Sequence, residues 1–194
     1  NVADVGNSLI NMLGTGVTII VILLSPPLAR RFGKKAVSVV GFGLAAIFST
    51  LFYFLSPTNI LGMVVLTVVI AVCYAPTIPL VWTMFADVAD YSEWKNGRRA
   101  TGMVFATIGF ALKLGLALGT ASFLWLMALY GYQSNQEQTP QALEGIRQFS
   151  SVYVGILFAV CTVLLAVYQL NKARTIQIAG ELAERRRAAE VEAA

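Results

Sequence analysis

The chain has 194 residues, 57% hydrophobic and 12% charged, with a formal net charge of +4 and no histidine. Soluble domains carry about 25% charged residues, so this composition argues against a globule in water and for an integral membrane protein. The missing histidine removes the commonest general base and metal ligand, and no G-x-x-x-x-G-K-[ST] loop offers nucleotide hydrolysis, so an enzyme is not expected.

In chain order, residues 5–24 form the first apolar run, which Pro26-Pro27 is expected to end as a helix stop. The basic cluster Arg30, Arg31, Lys34 and Lys35 follows it. From Ala36 to Ala86 no residue is charged, which exceeds one membrane span and approaches two with a turn. The cluster Ser56-Pro57-Thr58-Asn59 divides this stretch into spans at 36–55 and 60–85. Gly41-Phe42-Gly43-Leu44-Ala45-Ala46 matches G-x-G-x-x-A, but no strand precedes it, so it reads as helix packing rather than dinucleotide binding. Cys73 and Cys161 fall inside apolar runs and read as buried thiols, not a disulfide. Pro76 and Pro79 predict a kink near the middle of the third span, and broken membrane helices commonly line a cavity. Trp82, a turn further on, either stacks on the apolar face of a sugar or anchors the helix at the interface.

The densest charge follows, from Asp87 through Asp90, Glu93 and Lys95 to Arg98 and Arg99. Asp87 and Asp90 share a face if the helix continues. Opposite the Arg30–Lys35 cluster, this segment suits a latch at the mouth of a moving bundle. The fourth span, 100–130, carries Lys113, roughly 20 Å along the helix and hence near the bilayer midplane. A lone cation there costs roughly 2.5–3.5 kcal/mol, and no carboxylate in any span is placed to neutralise it. Its small-residue flanks include the G-x-x-x-G of Gly115 and Gly119, which permits close helix approach. The fifth span is expected at 150–170. The tail, 172–194, reads as a polar helix with Glu181/Arg185 and Arg186/Glu190 at i,i+4 and a disordered end. The fold class is therefore an all-α polytopic membrane helix bundle of five transmembrane helices, since the runs lack the alternation of barrel strands.

Twelve basic residues fall on one side of these spans, only Arg147 on the other, and Lys113 within the membrane. The positive-inside rule places the N-terminus outside and the C-terminus in the cytoplasm. The same clustering accounts for the net positive charge without a nucleic-acid partner. An odd span count with an outside start and no signal segment suggests the C-terminal part of a longer polypeptide.

Three stretches carry a family resemblance. Ala86-Asp87-Val88-Ala89-Asp90-Tyr91-Ser92-Glu93-Trp94-Lys95 with Gly97-Arg98-Arg99-Ala100-Thr101-Gly102 closely resembles the A-D-x-x-D-Y-G-E-W-K…G-R-R-A-T-G segment of the glycoside–pentoside–hexuronide:cation symporters, the melibiose-permease-like branch of the major facilitator superfamily. Lys113 through Gly119 looks like that family's K-x-G-x-x-x-G. Gly131-Tyr132, Gln138 and Ala142-Leu143-Glu144-Gly145-Ile146-Arg147 look like its G-Y…Q…A-L-x-G-I-R connection.

The resemblance implies two six-helix halves around a central cavity, this chain supplying helices eight to twelve in a bacterial cytoplasmic membrane. It implies alternating-access uptake of a glycoside, pentoside or hexuronide coupled to Na⁺ or H⁺, with no cofactor. The main cation ligands would lie in the N-terminal half of the same polypeptide, which becomes a partner together with the sugar and membrane lipid. Lys113 matches the helix-eleven lysine near the sugar and cation region. Asp87, Asp90, Glu93, Arg98 and Arg99 match the inner-gate loop. Arg31 and Lys34 join that gate from a segment similar to the superfamily's L-A-D-R-x-G-R-K, in which Arg30 stands where the motif has Asp. Gly109 stands where some melibiose-type members have a hydroxyl residue beside the sugar, so melibiose is not favoured over other glycosides. The alternatives are a facilitator-fold transporter of another amphiphile such as a lipid, and a non-transport membrane assembly subunit.

Overall fold

The computed structural model describes residues 15–56, 59–133 and 136–192, and all regular structure among them is helical. The elements are α1 (Thr15–Leu23), α2 (Ser25–Phe32), α3 (Lys34–Phe52), α4 (Ile60–Tyr74), α5 (Thr77–Asn96), α6 (Thr101–Leu129), α7 (Pro140–Gln148), α8 (Val154–Val167) and α9 (Lys172–Glu192). A π-helical segment, Phe149–Tyr153, joins α7 to α8 without a break. Four stretches are long and apolar enough to span a bilayer: Lys34–Phe52, Ile60–Asn96, Thr101–Leu129 and Pro140–Val167. The bent pair α1–α2 makes a fifth.

Several boundaries differ from the sequence-based expectation, each for a local reason. Residues 5–14 of the first span, Pro57 and Thr58 of the turn cluster and the last two residues of the tail lie outside the described residues. Pro26 and Pro27 do not end the helical path. They sit in the first turn of α2, where no N–H is needed, and the chain bends by 44° between α1 and α2. The third span does not end at 85. It pauses at Ala75–Pro76 and then runs as α5 to Asn96, so the acidic segment is helical and not a loop. Gly97, at φ 69°, closes α5 by donating its N–H to the Glu93 carbonyl. The fifth span starts at Pro140, ten residues earlier than expected, because Thr139 caps the Ala142 N–H and Pro140 takes a first-turn position.

Packing centres on α3, which touches α8, α4 and α5 through small residues. Ser38, Gly41, Ala45, Ala46 and Ser49 are buried along one stripe. A Cβ on Gly41 would stand 2.6 Å from the Cys73 carbonyl oxygen and 2.7 Å from Thr77 Cγ2. The G-x-G-x-x-A stretch is thus a helix-packing surface, as read. On α8, Gly155 lets the Thr50 hydroxyl and the Ala46 carbonyl approach its backbone. Filling either position would cost about 1–3 kcal/mol in forced shifts. The Phe158 ring then packs between Phe42 and Tyr74, at centroid distances of 5.8 and 6.0 Å. Cys73 is half-buried, but Cys161 is exposed on the face of α8 that no described element covers.

The tail is docked rather than loose. Ile178 and Leu182 of α9 are buried with Leu170 against Val88, Tyr91, Trp94 and Tyr168. By contrast α6 stands largely bare: of its residues only Met127 is buried. It packs chiefly on its chain neighbours α5 and α7.

Candidate functional site

At the end of the bundle where α3 begins, an acidic ladder on α5 is paired rung by rung with three other segments. Asp87, Asp90 and Glu93 recur every three residues and so line one face of the helix. Lys34, the first residue of α3, donates to both carboxylate oxygens of Asp87 at 2.8 Å. The Asp87 side chain is only 16% exposed, so this pair is partly shielded from water. Arg99, in the loop after α5, reaches Asp90 at 3.1 Å and Glu93 at 3.8 Å. Arg186 of α9 reaches Glu93 at 2.7 Å. The Arg30–Lys35 cluster thus meets the acidic segment through one ion pair, Lys34 to Asp87.

The tail adds contacts that the sequence did not disclose. Trp94 Nε1 donates to Glu181 at 2.6 Å, and Arg185 donates to the Trp94 carbonyl at 3.1 Å. Arg185 and Arg186 thus reach across to α5, while Arg185 still acts on Glu181, its expected i,i+4 partner, through its charge. Tyr91 stacks on Trp94 and takes Lys95 and Arg174 over its ring at 5.9 and 5.7 Å. Lys172 donates to the Arg30 carbonyl and so ties the start of α9 to α2. The signal that could have found this clasp was the 178/182 apolar pair on an otherwise polar helix.

The hydrogen bond from Trp94, then that from Gln177, holds the Glu181 carboxyl below the ordinary glutamate value of 4.5. A carboxyl held low in the folded state stabilises it above its unfolded value, and that contribution is lost as pH falls through the lowered one. Acidification from pH 7 to below 4.5 is therefore expected to loosen α9 from Trp94. Tryptophan emission should report the change, and Glu181→Gln should remove most of the pH-dependent part. An identical titration in that variant would show that the contact does not hold the tail.

Other expected gate residues stay outside this network. Arg31 lies over its neighbour Phe32, 5.4 Å from the ring centroid. Arg98 contributes only its carbonyl, which accepts from the Ser92 hydroxyl at 3.4 Å. Pro76 precedes α5 at the break in the third span, and Pro79 lies within its first turn. Trp82, further along α5, is 46% exposed and makes an edge contact with Phe85.

Lys113 is the thirteenth of the 29 residues of α6 and is exposed. Among the described residues no hydrogen bond or ion pair reaches it. A Cβ added to Gly109, Gly115 or Gly119 would meet nothing within 4 Å. No described element packs against the G-x-x-x-G, so the helix it was expected to seat is not among them. No group of three or more His, Cys, Asp or Glu among the described residues is placed to hold a metal ion.

The opposite end of α3 carries a second polar cluster, also missed from sequence. Tyr53 donates to Glu144 at 2.7 Å, Gln148 donates to Glu144 at 3.1 Å, and the Tyr130 hydroxyl donates to Gln148 at 2.7 Å. Arg147 caps the end of α3 by donating to the Tyr53 and Leu55 carbonyls. Gly145 admits the Tyr130 ring against α7. The one basic residue on this side of the bundle therefore has a structural task.

The family model described as MFS/sugar transport protein matches residues 3–172. The chain is 38% identical over 150 residues to the "Uncharacterized 29.9 kDa protein in crtE 3'region" of Pseudescherichia vulneris, covering 77% of this chain and 55% of that protein. It is 34% identical over 130 residues to the inner membrane symporter YicJ of Escherichia coli, covering 67% and 26%. It is 31% identical over 160 residues to the isoprimeverose transporter of Lactiplantibacillus pentosus, covering 80% and 33%. The chain thus spans about half the length of the first of these relatives and about a third or less of the other two.

Proposed function

The chain belongs to the MFS/sugar transport protein family, within the glycoside–pentoside–hexuronide:cation symporter branch that its motifs resemble, and from that premise we propose that it forms the C-terminal part of a cation-coupled sugar symporter. The observation that carries the reading is the bare face of α6. In a 29-residue helix whose middle lysine has no bonded partner among the described residues, beside an uncovered glycine stripe, that lysine is costly against lipid alone. It suits the wall of a water-filled cavity closed by further helices of the same polypeptide.

In this reading α1–α2, α3, α4–α5, α6 and α7–α8 are helices eight to twelve, with the acidic ladder and α9 at the cytoplasmic end. The break at Ala75–Pro76 gives the third span a hinge beside the cavity, and Trp82 lies on the same half-helix. Lys113 tunes affinity for sugar and coupling ion, and Na⁺ or H⁺ drives accumulation by alternating access.

The test is uptake by the full-length protein in vesicles under imposed gradients. A panel of xylosides, glucuronides and galactosides is expected to yield one that accumulates under an inward Na⁺ or H⁺ gradient. Collapse of that gradient by ionophore should abolish the accumulation. Equal uptake with and without both gradients would overturn coupling, and no uptake of any glycoside would overturn the substrate class.

A further inference from the structure

A second basic site lies beside the latch, on the outer surface of the bundle. Lys35, on the first turn of α3, donates to the Ala166 carbonyl near the end of α8 at 2.8 Å. Lys172, at the start of α9, donates to the Arg30 carbonyl. Between these two lysines a groove of about 520 Å³ opens, with Phe32, Val39, Val40 and Ala166 on its walls. No carboxylate lines it and both ammonium groups bond only carbonyls; Asp87, in the adjoining cavity that the two lysines also border, is taken by Lys34. Each ammonium has three donors; Lys35 spends one on the Ala166 carbonyl, and Lys172 spends one on Arg30 and a long second, at 3.5 Å, on Arg31. Arg31 lies over the ring of Phe32, one of the groove's lining residues.

Depth matters as much as charge. Residue 34 opens one span and residue 167 closes another, so the lysines stand at the membrane–water boundary. Val39 and Val40 lie one turn deeper, in the acyl region, and Val40 is exposed. The groove is held in shape because Gly33, at φ 91°, brings Lys172 Cβ within 3.2 Å of where its own Cβ would be. Cations above and apolar walls below match a molecule with a phosphate above and hydrocarbon below.

We propose that this groove binds an anionic phospholipid, its phosphate between Lys35 and Lys172 and an acyl chain along Val39 and Val40. The site is independent of the transported sugar, so it stands or falls apart from the transport reading.

The full-length protein, purified and exchanged into detergent with equal phosphatidylglycerol and phosphatidylcholine, is examined by native mass spectrometry. Phosphatidylglycerol should be retained in preference. Lys35→Gln with Lys172→Gln should lower its bound fraction about tenfold, Lys35→Arg with Lys172→Arg should keep it, and Arg187→Gln on the exposed tail should leave it within about twofold. Undiminished retention in the double Gln variant, or equal retention of both lipids by the unmodified protein, would overturn the site. Glycerol phosphate binding as tightly as the lipid would show a free phosphate site instead. Should the double Gln variant not fold, a photoactivatable phosphatidylglycerol on the unmodified protein decides. Labelling within residues 32–40 and 166–173 supports the site, and labelling confined elsewhere refutes it.

Discussion

Lys113→Ala in the full-length protein is expected to cut gradient-driven glycoside accumulation at least tenfold, with membrane insertion and expression unchanged. The reasoning starts from cost. A cation at mid-helix disfavours insertion by roughly 2.5–3.5 kcal/mol, and a chain that keeps one there without a partner is carrying a penalty the alanine variant would not. Lys113 has no bonded partner among the described residues, and the glycines around it are open to at least 4 Å. In the transporter we propose, its stabilising interactions come from outside these helices, from other helices or from cargo. Loss of one charge-assisted hydrogen bond of about 1.5–3 kcal/mol in the loaded state is a factor of ten or more. Lys113→Arg should recover part of the uptake, since it keeps the charge but changes its shape. Unchanged accumulation in energised vesicles at equal protein would remove Lys113 from the coupling mechanism and leave it as a structural residue.

What the sequence made legible and what it hid divide along a physical line. Long uncharged runs define spans because lipid offers no hydrogen bonds, so the span count and the apolar cores of 36–55 and 100–130 were readable within a few residues. Helix ends were not, because capping decides them locally. Pro26-Pro27 looks like a stop until it is seen in the first turn of α2, and Asp87–Glu93 looks like a loop until Gly97 is found to close α5. That the Arg30–Lys35 cluster faces the Asp87–Glu93 segment was anticipated from charge blocks alone, but which base meets which carboxylate is set by packing, and the pair is Lys34 with Asp87. Contacts that join distant segments through one apolar pair, such as Ile178 and Leu182 on Trp94, leave almost no periodic trace in a helix that is otherwise polar. The Tyr53–Glu144–Gln148–Tyr130 cluster was hidden for a similar reason: each member is unremarkable until a turn and a cap bring it to the end of α3.

Asp87→Lys is expected to be the most damaging single change at the latch, and the geometry says why it differs from Asp87→Asn. The asparagine variant leaves Lys34 a neutral acceptor and loses about 1–2 kcal/mol of a partly shielded charge pair. The lysine variant sets a second ammonium group against Lys34 at a site where the Asp87 carboxylate bonds at 2.8 Å and is only 16% exposed, so poorly screened repulsion adds to the lost attraction. The thermal midpoint in detergent should fall by several degrees, and by more than in Asp87→Asn. Exchanging the pair, Lys34→Asp with Asp87→Lys, should restore at least half of the loss. The exchange also separates two roles. Among the described residues the ion pairs of the ladder join segments of this one chain, to α3, to the loop before α6 and to α9, so they brace this end of the bundle. In the transporter we propose, Arg31 and Arg98, outside this network, are the bases left to meet the opposing half. If the exchanged pair regains stability and transport together, the ladder is a brace. Stability regained with transport still lost would mean that Asp87 itself is read by the opposing half. A midpoint unmoved by Asp87→Lys would mean that the pair braces nothing.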